Sequence, residues 1–408
     1  MKMLISAYAC EPGHGSEIGV GWHWVLELSK YAELWVVTRA SNRSAIEAWI
    51  ALHPQYEAIH FLYYDLPRWM RFWKKGLRGV RLYYHLWQIG INRMIARTMQ
   101  ANDIDLFHHL TYGNALWKVS AYGRKQCFIW GPVGGLETIP GEYTRHYGTV
   151  ARLREWLRRI VVNNRILNVH FMRNCRDARL ILCKTEITRQ LIPKKYRDKA
   201  ILFTDVAVDP ETIVLPSHQQ TANDAPVNYL MVGRLDAWRG FDIAIEGVAE
   251  AAKQNPHICL SIVGSGTDAK WLRRLIRQRN VENRVIMLGK VSTAYYEALM
   301  RNTDVVINAA LKEAGVTVAF DSLAYGKPVI CIDTTGYTRY FNHTNTLKIP
   351  RGNRAETVQR LSQTILKLTD REMREQMAVD ARNIAAQQTW EVRGKEFYDV
   401  IIQHCSIQ

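Results

Sequence analysis

The sequence predicts two α/β domains of the nucleotide-binding type, each built on a mostly parallel sheet. Three observations carry this expectation. The chain has 408 residues, more than one ordinary core accommodates and enough for two. Short apolar runs alternate along it with longer mixed segments, and strands that alternate with helices imply right-handed crossovers and parallel pairing. A polar stretch with several prolines interrupts that rhythm near the middle of the chain.

In the first half, residues 3–7, 34–38, 59–64, 106–109 and 127–130 read as strands. They are short, rich in β-branched or aromatic side chains, and bounded by Gly, Pro, Asp or Asn. Residues 180–183 and 200–203 complete this sheet. Residues 206–226 hold Pro210, Pro216 and Pro226 in a polar setting and read as a linker. A second alternation follows, with strands at 228–232, 258–263, 285–288, 305–308, 329–332 and 346–349. Helices fit between them at 242–254, 268–280, 294–302 and 318–325, and residues 354–403 read as helical. The expected domains are therefore residues 1–205 and 227–385, with 386–408 as a C-terminal helix that can return to the first domain.

Hydrophobic residues make up 48% and charged residues 23%, which predicts a folded, water-soluble protein. No apolar run approaches the roughly 18 residues of a spanning helix. The N-terminal apolar stretch soon meets Cys10-Glu11-Pro12-Gly13 and reads as a first strand rather than a signal peptide. The seven cysteines lack paired spacing. They predict reduced, mostly buried thiols in a cytoplasmic protein, with neither a disulfide framework nor a zinc site.

The net charge of +16 favours an anionic partner: nucleic acid, anionic lipid or a phosphorylated ligand. Residues 66–102 hold eight basic residues and no acid. Trp69, Phe72, Trp73, Tyr83, Tyr84 and Trp87 interleave with them. Leu77, Val80, Tyr84, Trp87, Ile91 and Met94 recur at helical spacing beside a row of Arg71, Lys74, Arg78 and Arg81. Trp69, Phe72 and Trp73 either dip into a membrane interface or fill the first core while the cations aid solubility. Residues 145–176 form a second basic segment, with eight arginines and one acid, Glu155. No nucleic-acid-binding module is recognisable.

Five segments carry candidate chemistry, each at or after the end of a predicted strand, where parallel α/β sheets bind ligands. In Val232-Gly233-Arg234-Leu235-Asp236-Ala237-Trp238-Arg239-Gly240, two forked, permanently charged guanidinium groups suit a diphosphate, although a solvated turn fits equally. In the run from Lys312 to Asp321, Glu313 and Asp321 stand eight apart. Ala314 and Gly315 let backbone N–H groups approach an anion at a helix start. Two carboxylates there could accept sugar hydroxyls, or serve as a capping acid and an exposed helix acid. The Gly-rich loop from Cys10 to Trp22 is a phosphate-approach device, yet it matches neither GxGxxG nor the P-loop, so NAD and ATP chemistry find no support. His108-His109 and Gly131-Pro132-Val133-Gly134-Gly135 end two neighbouring strands of the first sheet.

Gly233-Arg234-Leu235…Arg239-Gly240, Val263-Gly264-Ser265-Gly266, Glu313 to Asp321 and Ala324-Tyr325-Gly326-Lys327-Pro328-Val329 together resemble the retaining glycosyltransferases of the GT-B fold, narrowly their fourth family, the group-one transferases. Gly15-Ser16-Glu17, His108-His109 and the 131–135 loop look like a branch associated with bacterial exopolysaccharide and lipopolysaccharide assembly. The resemblance implies two Rossmann-like domains facing across a cleft, and a sugar moved from a nucleoside diphosphate sugar to a saccharide acceptor, one carried on a lipid. It implies no cofactor besides that donor substrate, no metal, and a peripheral position at the inner face of the cell membrane. Carried over, Arg234 and Arg239 hold the donor diphosphate, with Gly233 beside them. Glu313 touches the sugar hydroxyls, within a donor loop of Ala314, Gly315, Val316 and Thr317. Asp321 accepts from the ribose, the Gly15 backbone approaches the phosphate, and His109 sits near the reacting carbon. The family pattern has lysine at Arg239 and glutamate at Asp321, so the charge is kept at both places and the shape is not. An inactive scaffold or partner subunit, and a sugar-nucleotide epimerase on the same fold, are the alternatives.

Overall fold

The structure, a computed structural model, describes residues 1–74, 79–120, 126–214, 226–312, 317–334, 341 and 344–405. Thirteen strands are assigned: β1 Lys2–Ser6, β2 Glu33–Arg39, β3 His60–Tyr64, β4 Leu106–His109, β5 Cys127–Val133, β6 Leu180–Cys183, β7 Ala200–Leu202, β8 Val227–Val232, β9 Ile258–Val263, β10 Val285–Gly289, β11 Val305–Asn308, β12 Val329–Ile332 and β13 Thr346–Ile349. The helices of the first part are α1 Ser16–Leu28, α2 Arg43–Leu52, α3 Val80–Gly90, α4 Asn92–Asn102, the single turn α5 Gly141–Thr144, α6 Thr149–Asn163, α7 Val169–Asp177 and α8 Glu186–Leu191. The rest are α9 Phe241–Ala252, α10 Ala269–Gln278, α11 Thr293–Asn302, α12 Thr317–Ala324, α13 Arg354–Lys367, α14 Arg371–Ala386 and α15 Trp390–Cys405.

Two sheets result, ordered β3-β2-β1-β4-β5-β6-β7 and β10-β9-β8-β11-β12-β13. Every strand pair in both is parallel. Helices cover both faces of such sheets, and β4, β6, β11 and β12 are buried throughout. The first unit comprises Met1–Leu136, Val161–Asp205 and the chain from Trp390 onward; the second comprises Glu137–Ile160 and Val206–Thr389.

Residues 137–160, expected as part of a continuous first domain, thus group with the second unit. Ile139, Tyr143 and Tyr147 enter its core. The Tyr143 hydroxyl lies 2.7 Å from both the Gly352 carbonyl and Thr357 Oγ1. Helix α15 packs on α1 in the first unit, where Trp24 meets the rings of Trp390 and Phe397. Part of the expected linker is tied down: Val208 N–H donates to the Gln388 carbonyl and Val214 N–H to that of Ala324. Residues 215–225 lie outside the described residues.

Two expectations change. The stripe through Tyr84, Trp87 and Ile91 is buried in the first core, on two helices that divide at Ile91. Of the interleaved aromatics only Trp69 and Phe72 are exposed, at 74% and 77%; Lys75, Leu77 and Arg78 lie outside the described residues. Also, the cysteines are not all reduced thiols. Cys127 at the start of β5 is disulfide-bonded to Cys405 at the end of α15, with Cα atoms 6.1 Å apart. The two are 278 positions apart in sequence, so local spacing carries no trace of the pairing. Cys10, Cys175, Cys183 and Cys331 are buried and Cys259 is half-buried, all five outside the disulfide.

The second sheet owes its ligand-facing tip to close backbone packing. Gly240 starts α9 at φ +73°, where a Cβ would collide with the Ala309 carbonyl. Gly289 has the same φ with open space around it. Gly289→Ala should therefore cost about 1 kcal/mol of backbone strain, and Gly240→Ala about 3 kcal/mol or more, because strain and clash combine. Urea unfolding of both variants checks the difference; equal losses would mean the tip relaxes freely.

Candidate functional site

The loops after β8, β9 and β11 are joined by main-chain hydrogen bonds. Gly233 N–H donates to the Val263 carbonyl at 3.0 Å and Leu235 N–H to that of Ser265 at 3.0 Å. Leu311 N–H donates to the Trp238 carbonyl at 2.9 Å. A Cβ on Gly264 would run into the Gly233 carbonyl, so only glycine lets these two loops touch. The result is a rigid platform at the C-terminal ends of parallel strands, where ligands bind in such sheets.

Cations crowd this platform. Arg234 projects to solvent, 63% exposed, and pairs with Asp236 at 2.8 Å. Arg239 folds back across Gly233 and lays its guanidinium over the Trp238 ring, 4.4 Å from the centroid. Lys312 approaches the same ring, at 5.6 Å. Lys312 is buried and bonds Glu155 of α6 at 2.5 Å. Burial, aided by Arg158, brings its ammonium down to about 8, against the pull of Glu155. Trp238 thus lies against two cations, one permanently charged and one titrating near neutrality.

Thr317 opens α12 and Asp321 lies in its second turn. The Tyr296 hydroxyl of α11 donates to Asp321 Oδ2 at 2.6 Å. Burial raises the Asp321 carboxyl to about 6, while the Tyr296 hydrogen bond opposes that shift. Glu313, Ala314, Gly315 and Val316 lie outside the described residues.

In the first unit Gly15 is the exposed N-cap residue of α1, with open space where a Cβ would stand. The crowded glycines are further in: Gly19 and Gly21 face the His14 and Ala9 carbonyls. His108 is buried and its Nε2–H donates to the Gly131 carbonyl at 2.7 Å. Burial lowers it to about 4, so it is neutral at pH 7 and structural. His109 is 1% exposed and shares a 3.2 Å hydrogen bond with the Tyr84 hydroxyl. Glu17 accepts from Tyr112 N–H at 2.6 Å. Burial pushes its carboxyl up against the pull of Lys184, which pairs with Asp205 at 2.5 Å.

The structure thus brings Gly233, Arg234 and Arg239 into one loop of the second sheet, with Asp321 on a helix of the same unit. Sequence reasoning gave no role to Trp238, Lys312 and Tyr296 there, nor to Glu17, Lys184 and Asp205. The Lys312–Glu155 and Tyr296–Asp321 partnerships span 157 and 25 positions, and no local pattern announces them. Among the described residues no group of three His, Cys, Asp or Glu side chains could hold a metal ion.

Two parallel-sheet units of this kind define the GT-B fold. HepE of Anabaena, solved with UDP and glucose, matches at TM-score 0.62 and 17% identity, over 98% of this chain and 99% of that one. The lipopolysaccharide outer core galactosyltransferase WaaB matches at TM-score 0.63 and 14% identity, over 99% of both. Within that fold, residues 217–384 match the family model described as glycosyl transferases group 1. An α-D-kanosaminyltransferase of Streptomyces kanamyceticus is 27% identical over 226 residues, 52% of this chain and 56% of that protein. The alignments span little more than half of such curated relatives, or less.

Two outcomes are expected of the buried charges. Glu155→Gln leaves Lys312 buried without its carboxylate and should destabilise the protein by about 3 kcal/mol. The loss should be greatest near pH 6, where Lys312 is charged, and shrink as pH rises past 8. Asp321→Asn removes a carboxylate whose ionisation is disfavoured in the fold. It should stabilise by about 2 kcal/mol at pH 7.5, by less at pH 5, and by nothing below about pH 3.8, where the carboxyl is protonated in the folded and unfolded chain alike. Denaturant unfolding across pH reads both; pH-independent effects would contradict the assigned causes.

Proposed function

We propose that the chain is a retaining glycosyltransferase that moves a sugar from a nucleoside diphosphate sugar to a saccharide acceptor, in bacterial surface polysaccharide assembly. The observation that carries the reading is the backbone-joined platform bearing Arg234 and Arg239. In the reaction, the bond from the anomeric carbon to the β-phosphate oxygen breaks as the acceptor oxygen bonds the same face of that carbon. The acceptor proton passes to the departing phosphate. The two guanidinium groups stabilise the charge that gathers on the diphosphate. Glu313 holds the donor sugar within the loop of Ala314, Gly315, Val316 and Thr317. Asp321 takes the ribose, Gly15 presents backbone N–H to the phosphate, and His109 adjoins the reacting carbon. The UDP held by HepE supports a uridine diphosphate donor.

A lipid-linked acceptor at the inner face of the cell membrane completes the reading. Arg71, Lys74, Lys75, Arg78 and Arg81 meet anionic headgroups there, each contributing about 1 kcal/mol near the surface. Trp69 and Phe72 are the aromatics available to enter the interface.

The test is turnover of purified protein with a panel of UDP- and GDP-sugars. Arg234→Ala should reduce transfer by about 10²-fold or more with the fold intact, because the side chain is exposed. Glu313→Ala should harm turnover more than Asp321→Ala, and Asp321→Glu should be tolerated. Near-normal turnover by a well-folded Arg234→Ala variant would defeat the donor-site reading.

A further inference from the structure

Nine of the nineteen exposed large hydrophobic side chains among the described residues fall between positions 150 and 169. Helix α6 carries most of them. At 3.6 residues per turn, Val150, Leu153, Trp156, Leu157, Ile160 and Val161 share one arc of about 140°. The opposite arc holds Ala151, Glu155 and Val162 and faces inward: Glu155 is 8% and Val162 2% exposed. The helix is therefore apolar on a face that its own fold leaves uncovered. After it, Ile166, Leu167 and Val169 prolong the exposed apolar surface.

The flanks of that arc are cationic. Arg154 and Arg158 border one side, and Arg152 and Arg159 the other. The only acid of α6, Glu155, lies on the inner side, bonded to Lys312. An apolar centre with arginine borders matches a layer whose interior is hydrocarbon and whose surface is anionic. It does not match a second copy of itself, because an isologous contact would set arginines against arginines. Fifteen helical residues reach only about 22 Å, too short to cross a bilayer but suited to lying within its surface.

We propose that α6, with the turn that follows it, inserts in the plane of an anionic lipid bilayer and is the apolar anchor of this protein. The anchor differs in kind from the basic segment around Arg71 and Lys74. That segment contributes attraction that salt screens, whereas burial of the α6 stripe persists at high salt. The proposal stands apart from the donor-site reading and shares only the membrane with the segment at 69–81.

Flotation of the full chain with phosphatidylcholine vesicles, with and without phosphatidylglycerol, tests it at low and high salt. Wild-type protein should float with the anionic vesicles and keep part of that binding at high salt. Leu153→Glu combined with Leu157→Glu should lower the bound fraction about tenfold or more under both salt conditions. Both side chains are exposed, at 56% and 49%, so thermal unfolding should be unchanged. Leu153→Met with Leu157→Met should retain binding. Arg71→Glu with Lys74→Glu should reduce binding at low salt only; if it has no effect, the basic-segment reading falls and the α6 anchor stands. Wild-type protein that ignores anionic vesicles overturns the proposal. So does a Glu pair that floats like wild type, or a wild-type dimer in solution that the Glu pair dissolves.

Discussion

Main-chain contact between loops at the tip of the second sheet is the constraint on which the candidate donor site depends. Gly264 and Gly240 let neighbouring backbone carbonyls lie where a Cβ would stand, and the loops after β8, β9 and β11 are then held by their own N–H groups. Because the peptide groups satisfy one another, the side chains of Arg234, Trp238 and Arg239 need not brace the loop. Arg234 projects to solvent beside Asp236, and Arg239 lies over Trp238. A platform of this kind holds its charges in place before a ligand arrives, which is where electrostatic stabilisation gains most.

Cation packing follows from that rigidity. Two like charges beside one indole would be costly if both were permanent and unpaired. Arg239 lays its guanidinium over the ring face. Lys312 is brought near neutrality by burial and then held by Glu155. Glu155 comes from α6, so the segment of residues 137–160, which groups with the second unit, supplies the carboxylate that holds the lysine beside Trp238.

Helix α6 therefore has two faces with different work. Its inner face delivers Glu155 to Lys312. Its outer face presents a hydrocarbon stripe between arginines to solvent. A helix that turns its one acid inward and its apolar stripe outward reverses the usual arrangement of a surface helix in a globular protein.

Composition and period alone determined the architecture. Strand positions such as 106–109, 258–263 and 346–349 coincide with β4, β9 and β13, because short runs rich in apolar and β-branched residues between turn-forming residues favour strands. The segment at 233–240 was legible as a loop after a strand, because glycine at positive φ is a property of residue type. Pairings across distance were not legible. Tyr296 on Asp321, Glu155 on Lys312, Glu17 under Tyr112 and the Cys127–Cys405 bond join positions whose neighbourhood exists only once the chain has folded. The aromatic-basic pattern at 66–102 and the arginine-rich one at 145–176 looked alike in sequence. Only tertiary packing turned the first mostly inward and left the second's apolar stripe outside, since period states that a helix has an apolar face but not which surface that face will meet.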